Sequence, residues 1–173
     1  MKIIRILPVF SLLAMSAGVG AAANLDRTDS KFVTGAAQGG LAEVKLGQLA
    51  DEKGSNQAVR DFGKRMVKDH TDANNKLKDV ASQKDVTVPD AMNAKDQALY
   101  DRLSKLSGAQ FDRAYINAMV RDHQEDVSEF RRESRVAKDS GVKSFASETL
   151  PTLEQHLQLA KQVQQQLGAT SSK

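Results

Sequence analysis

Apolar positions recur every three or four residues along almost the whole chain, which is the spacing of amphipathic α-helices. Period-two alternation, the pattern of strands, occurs only in the few residues around 86–88. Gly, Ser, Asp and Pro interrupt the helical pattern near residues 53–56, 86–90, 106–110 and 139–143. The pattern therefore predicts four long helices, over residues 30–53, 56–84, 108–139 and 142–167, and a short helix over residues 91–106.

Residues that favour helix starts stand in front of the four long segments. We expect these caps at Asp29 or Ser30, Ser55, Ser107, and Ser140 followed by Gly141. Pro151 falls about two turns into the last long segment. Because proline lacks an amide hydrogen and crowds the preceding turn, we expect a kink or a helix restart there.

Each long segment carries one stripe of apolar and small residues. On the second helix the stripe includes Val59, Gly63, Met66, His70, Ala73, Leu77 and Val80. On the third it includes Ile116, Val120, His123, Val127, Phe130, Ser134 and Ala137, and on the fourth Phe145, Thr149, Leu153, His156, Ala160, Val163 and Leu167. Such stripes predict an all-α fold: an antiparallel four-helix bundle with a short extra helix in the long connection between helices 2 and 3.

The first 23 residues have the pattern of a secretory signal peptide. Two positive charges, Lys2 and Arg5, precede an apolar run, and small residues at Ala21 and Ala23 precede an expected cleavage site before Asn24. We therefore predict a signal peptide over residues 1–23, a bundle domain over residues 24–167 and a disordered tail over residues 168–173. The predicted location is the periplasm or the outer envelope.

Composition excludes several function classes. The chain contains no cysteine, which excludes thiolate catalysis and cysteine-ligated metal centres. The formal net charge falls from +3 to +1 when Lys2 and Arg5 leave with the signal peptide, and acids alternate with bases along the rest of the chain. We therefore expect no nucleic-acid partner. We also expect no transmembrane segment after signal removal; protein partners and a peripheral association with the envelope stay open.

All three histidines occupy the apolar stripes. His70 and His123 end the related phrases MVKDH and MVRDH, and His156 lies on the last long helix. Each is near the middle of its predicted helix, so helices joined by short turns bring them to similar heights. The sequence therefore predicts that three imidazoles from three helices converge in one layer.

The first helix contributes a carboxylate to the same predicted layer. Glu43 lies in the middle of an apolar and small stripe formed by Phe32, Ala36, Gly40, Gly47 and Ala50. Glu43 is closer than His70 to the turn that joins their two helices, by roughly 7 Å along the helix axis. A long glutamate side chain or a helix offset is needed to bring Glu43 to the histidines.

Two interpretations of these four residues stay open. A buried hydrogen-bond network can fix the register of a helical bundle. Alternatively, Glu43, His70, His123 and His156 are the ligands of one transition-metal ion, for which this donor set suits zinc, copper or iron. We expect Asp69 and Asp122, which precede two of the histidines, to face solvent or a flanking helix, Asp69 near Arg65; a role in orienting a ligand is the alternative.

Longer phrases of the chain resemble a known family. The sequences FVTGAAQGGLAEVKLGQLA (32–50), VRDFGKRMVKDHTDANNKL (59–77), FDRAYINAMVRDH (111–123) and FASETLPTLEQHLQLA (145–160) resemble exported proteins of the domain-of-unknown-function 4142 family. The resemblance spans most of the predicted mature chain. It implies a ferritin-like four-helix bundle and a bacterial envelope location, and it implies no established activity.

The residues around the histidines differ from those of a di-iron oxidase. Such centres use Glu-x-x-His on two helices, whereas Val67, Val120 and Leu153 stand three positions before the histidines here. We therefore expect a mononuclear site or none. The predicted function is a non-enzymatic exported bundle protein, metal-binding or stress-related; the alternatives are a metal-dependent oxidase or detoxification enzyme and a purely structural or interaction module.

Overall fold

The structure is a computed structural model that describes residues 25–170 of the 173-residue chain. These residues form five α-helices and no strand: α1 (Arg27–Lys53), α2 (Gln57–Ser82), α3 (Ala94–Ser104), α4 (Gly108–Val136) and α5 (Ser140–Thr170). The predicted all-α class, with four long helices and a short third one, is confirmed. The predicted signal peptide lies outside the described residues. Residues 168–170 of the predicted tail belong to α5, and the rest of that tail also lies outside.

Three of the predicted helix caps are wrong. The Asp26 carboxylate accepts the amides of Thr28 and Asp29, at 2.8 and 2.9 Å, and starts α1 earlier than predicted. Asn56, not Ser55, caps α2 by accepting the Ala58 amide. At α5 the carboxylate of Asp139 accepts the amides of Gly141 and Val142. In each case an Asp or Asn one to three positions from a predicted residue satisfies free amides of the first turn.

Two other predicted helix features also differ from the structure. Ser107 does stand at the start of α4, but its side chain makes no capping hydrogen bond. Helix α5 runs through Pro151 without a restart; the other expected outcome, a kink, stays a prediction. Pro151 and Ser147, whose carbonyl loses its amide partner, both lie on the exposed face. Water can therefore hydrogen-bond that carbonyl, which lets the helix continue.

The long helices contact one another as antiparallel neighbours. Helix α1 packs along α2, and α4 packs along α5; α2 also contacts α5, and α1 contacts α4. Pairs of residues give the directions: Arg131 bonds Glu154 while Asn117 bonds Gln164, so α4 and α5 run in opposite directions. Short connections after α1 and α4 make these two hairpins, and α3 lies in the long connection, against α1 and α4.

Two apolar clusters fill the interior, and a polar layer separates them. One cluster includes Leu46, Met66, Val120 and Ala160; the other includes Ala37, Leu77, Val127 and Leu153. On each of the four long helices the residue between the two clusters is ionisable: Glu43, His70, His123 and His156. Across the described residues, no helix combines the length and apolarity that a membrane crossing needs.

Candidate metal centre

The four residues predicted to point inward are all buried. Glu43, His123 and His156 are 1%, 0% and 1% exposed, and His70 is 6% exposed. Helical phase explains this result, because each lies on the apolar stripe of its own helix. The interior therefore holds three imidazoles and one carboxyl group where neighbouring turns bury aliphatic and aromatic side chains.

The three imidazoles lie against one another. Their ring centroids are 5.7 Å apart for His70 and His123, 5.4 Å for His70 and His156, and 5.3 Å for His123 and His156. Each ring offers one nitrogen, and these nitrogens all lie within 4.8 Å of one another. Zinc and similar ions bind imidazole nitrogen at about 2.0–2.1 Å, so a small inward movement of the rings would let one ion contact all three.

Hydrogen bonds leave one nitrogen of His123 and one of His156 without a partner. His123 Nδ1 lies 3.0 Å from the carbonyl oxygen of Met119, and His156 Nε2 lies 2.9 Å from Asp69 Oδ2. Because both partners are acceptors, these ring nitrogens carry the hydrogen and donate it. His123 Nε2 and His156 Nδ1 are buried without a partner, and so is His70 Nε2.

Burial keeps the three imidazoles neutral. Loss of hydration lowers the pKa of His70 well below its usual value, and the neighbouring rings of His123 and His156 lower it further. Burial, aided by His156, lowers the pKa of His123 from 6.5 to about 4. Burial also lowers the pKa of His156, although Asp69 opposes that shift. The imidazoles are therefore in the form that binds metal ions at neutral pH.

Asp69 connects the histidines to the surface of the bundle. Its carboxylate accepts from His156 and, at 3.1 Å, from Arg65 Nε, while another Arg65 nitrogen donates to Gln155 on α5. Partial burial opposes ionisation, but the hydrogen bonds from His156 and Arg65 lower the pKa of Asp69. Asp69 therefore stays ionised and fixes the His156 tautomer that leaves Nδ1 bare.

Glu43 does not join the three imidazoles. Its Oε1 lies 3.9 Å from His123 Nδ1, the ring nitrogen that bonds Met119, and Glu43 forms a separate group with Asp122 and His123. The predicted four-residue group is therefore divided into two groups that share His123. Glu43 approaches His123 Nδ1, whereas the nitrogen of His123 without a partner is Nε2.

The carboxyl group of Glu43 is held in its neutral form. Neither oxygen accepts a hydrogen bond from a donor, and the adjacent polar group is the carboxylate of Asp122. Burial, followed by Asp122, raises the pKa of Glu43 well above its usual value. The hydroxyl of Tyr115 is also buried without a partner, and burial together with Glu43 raises its pKa.

A cleft between α2 and α5 reaches the imidazoles from solvent. It has a volume of about 270 Å³, and His70 and His156 form part of its wall. Charged side chains surround them: Arg65, Asp69, Asp72, Lys76 and Glu148. The three-histidine layer is therefore buried but has a route by which an ion can enter.

Comparison with known proteins identifies the family. The family model described as Domain of unknown function (DUF4142) matches residues 14–163. The chain belongs to the DUF4142 family. No curated protein matches this DUF4142 sequence.

Solved structures share the fold of this DUF4142 chain. A DUF305 fragment from Deinococcus radiodurans matches with a TM-score of 0.72 at 16% identity, over 84% of this chain and 99% of its own. A DUF305 protein from Streptomyces coelicolor matches with a TM-score of 0.69 at 13% identity, over 81% and 93%. CopM in the Cu(I)-bound form matches with a TM-score of 0.66 at 15% identity, over 80% and 96%. At these identities the similarity concerns the fold.

Two aspartates next to the histidines, Asp69 and Asp122, have partners that the sequence did not specify. Asp69 forms the expected pair with Arg65 but also bonds His156 on another helix. Asp122, expected to face solvent or a flanking helix, is half-buried beside Glu43 of α1. The only signal in the sequence is the Asp-His pair that ends both MVKDH and MVRDH. An Asp one position before an inward residue points sideways, so its partner depends on which helix packs there.

Proposed function

We propose that this protein is an exported helical-bundle protein that binds one transition-metal ion through His70, His123 and His156. The supporting observation is the set of three buried ring nitrogens without hydrogen-bond partners, one on each imidazole. Buried polar atoms are normally paired, so three unpaired atoms in one layer call for a ligand. The ligand atoms would be His70 Nε2, His123 Nε2 and His156 Nδ1.

A hydrogen-bond network among the rings accounts for these atoms less well. His123 and His156 already donate their single hydrogens to Met119 and Asp69, so each has only a bare lone pair left. Two lone pairs cannot bond each other. A neutral His70 could donate to one of them at most, which leaves the other unpaired. A metal ion can accept all three lone pairs at once.

The charge of the site favours Cu(I) as the ion. All three proposed ligands are neutral, and the carboxylate of Asp69 behind His156 already pairs with Arg65. A monovalent ion therefore leaves less uncompensated buried charge than a divalent ion, unless the divalent ion brings a hydroxide. CopM, which shares the fold, has been solved in a Cu(I)-bound form, and this agrees with copper. Zn²⁺ is the alternative that the same imidazoles would accept.

We also propose the ferritin-like form of the antiparallel four-helix bundle and an envelope location. The antiparallel contacts among α1, α2, α4 and α5 and the placement of α3 support the arrangement. The signal-peptide pattern over residues 1–23 supports export, with a mature domain that begins at Asn24. Detection of an N-terminus at Asn24 in protein recovered from the periplasm would test this; an intact N-terminus in the cytoplasm would contradict it.

Metal analysis of untagged mature protein tests the proposed site. We expect about one Cu(I) or Zn²⁺ per chain after loading and removal of free metal, and less than about a tenth of that for His70→Ala. The matched control is Gln158→Ala on the exposed face of α5, which should bind like the unaltered chain. No tightly held ion in the unaltered chain, or equal binding by His70→Ala, would leave a structural polar layer as the better interpretation.

Replacement of Asp69 tests how the ligands are oriented. In Asp69→Asn the side chain can present its amide NH2 group, instead of an oxygen, to His156 Nε2, so part of the His156 population carries its hydrogen on Nδ1 and loses the bare lone pair there. We expect metal affinity to fall about 10- to 100-fold with a stoichiometry that stays at one ion. Competition with a chromophoric chelator measures this change. Asp72→Asn, on the same helix but paired with Lys68, is the control and should bind normally.

A further inference from the structure

We infer that a second cation site, for a hard divalent ion, lies between α1, α3 and α4, with Glu43 and Asp122 as its ligands. It uses different donor atoms from the three-histidine site and does not rest on the function proposed above. The chemical class of ligand is an oxygen-seeking ion such as Mn²⁺ or Ca²⁺, because carboxylates suit these ions.

Glu43 carries this inference. It is 1% exposed, and neither of its oxygens accepts a hydrogen bond. Its carboxyl oxygens, those of Asp122 and a nitrogen of His123 come within 4.8 Å of one another. Since His123 Nδ1 donates to the carbonyl of Met119, the imidazole is a neighbour of the second ion and not a ligand. The two carboxylates supply the ligand oxygens, and water completes the coordination.

A cleft on the opposite face of the bundle from the first one gives access to this pair. It lies between α3 and α4, has a volume of about 370 Å³, and includes Asp122 in its wall. Asp96 on α3 and Glu125 on α4 line the same cleft, and Lys95 pairs with Glu125 at 3.3 Å. Asp122 therefore lines the cleft and lies beside Glu43, so an ion that enters the cleft meets Asp122 first.

Acidic and basic side chains both line this cleft: Asp96, Asp122 and Glu125 lie among Lys95, Arg102 and Arg121. The unpaired buried oxygens of Glu43 beside Asp122, and not the overall charge of the cleft, therefore favour a cation. A divalent ion compensates both carboxylates and gives the oxygens of Glu43 the partner that they lack.

Binding of Mn²⁺ to the full mature chain carrying His70→Ala tests the second site without the first. Electron paramagnetic resonance of free Mn²⁺ counts the bound ion, and we expect about one per chain at about 1 mM free Mn²⁺. Glu43→Gln and Asp122→Asn should each weaken binding about 10-fold or more. Glu148→Gln, a carboxylate on α5 that bonds Ser144, should leave it unchanged.

Two results would overturn the second site. One is no bound Mn²⁺ at millimolar concentrations, which would leave Glu43 as a buried carboxyl group beside Asp122 with no ion. The other is binding that persists unchanged in both Glu43→Gln and Asp122→Asn, which would place the ion elsewhere. Thermal unfolding shows whether each variant is folded. Glu43→Gln should still bind one Cu(I) per chain. Loss of the Mn²⁺ site can therefore be distinguished from loss of the three-histidine site.

Discussion

Acidification of the metal-free protein from pH 7 to pH 4 should lower the free energy of unfolding of both the unaltered chain and His123→Gln. The loss should be about 3 kcal/mol smaller in His123→Gln. The pKa of His123 is about 4 in the folded protein and has its usual value of 6.5 when the chain unfolds. Below pH 6.5, His123 binds a proton in the unfolded chain but stays neutral in the folded protein. The contribution of His123 to the free energy of unfolding is therefore fully present above pH 6.5 and is lost as the pH falls towards 4. Glutamine fills a similar volume and does not titrate.

Urea unfolding with a chelator present, repeated at half-unit pH intervals, measures this difference. Comparison of the two proteins is essential, because Glu43 acts in the opposite sense: its raised pKa gives stability below pH 4.5 that is lost as the pH rises. Because Glu43 lies 3.9 Å from His123, the comparison is made with Glu43→Gln in both proteins, which removes that contribution. Parallel stability curves would show that His123 is already charged, or hydrated, in the folded protein. Gln158→Ala is the control and should follow the unaltered chain.

Gly63→Ala should destabilise the protein by about 3 kcal/mol and lower Tm by about 10 °C. Helices α1 and α2 approach each other closely where Gly63 faces Gly47. A Cβ atom on Gly63 would lie 2.7 Å from the carbonyl oxygen of Gly47, 2.8 Å from Ala50 Cβ and 3.1 Å from the amide nitrogen of Asp51. Because two of these atoms are backbone, the helices must separate to accept the methyl group.

Gly39→Ala is the matched control, since it makes the same change in the neighbouring helix. A Cβ atom there would meet nothing within 4 Å. Alanine is the better helix former, so this variant should be stabilised by about 0.5–1 kcal/mol. Thermal and urea unfolding of both variants give the comparison. Equal effects of the two substitutions, in either direction, would mean that the close approach of α1 and α2 does not constrain the fold.

The separation of α1 and α2 also affects the site. His70 lies two turns beyond Gly63 on α2 and faces His156 on α5. A wider α1–α2 spacing would tilt α2 and change the distance between these rings. The glycine contact could be noted from the sequence only as small residues within two apolar stripes; which glycine meets which depends on the register of the hairpin.

The sequence by itself determined the helices and the residues that point inward. Periodicity is a local property: the position of His70, His123, His156 and Glu43 on an apolar stripe follows from 3.6 residues per turn, whatever lies opposite. Burial of all four confirms that part of the prediction. The helix starts were less accurate, because several neighbouring polar residues compete for each cap and tertiary contacts decide between them. Asp29, for example, instead accepts the amide of Asp139 on the next hairpin.

Only the tertiary structure decided which inward groups meet. The three imidazoles form one group, whereas Glu43 turns to Asp122, and Asp69 reaches across from α2 to His156 on α5. These contacts depend on the axial offset between helices and on the rotation of each ring. Both are set by how the apolar side chains of four helices pack together, and this packing is a property of the whole interior that no single stretch of sequence contains.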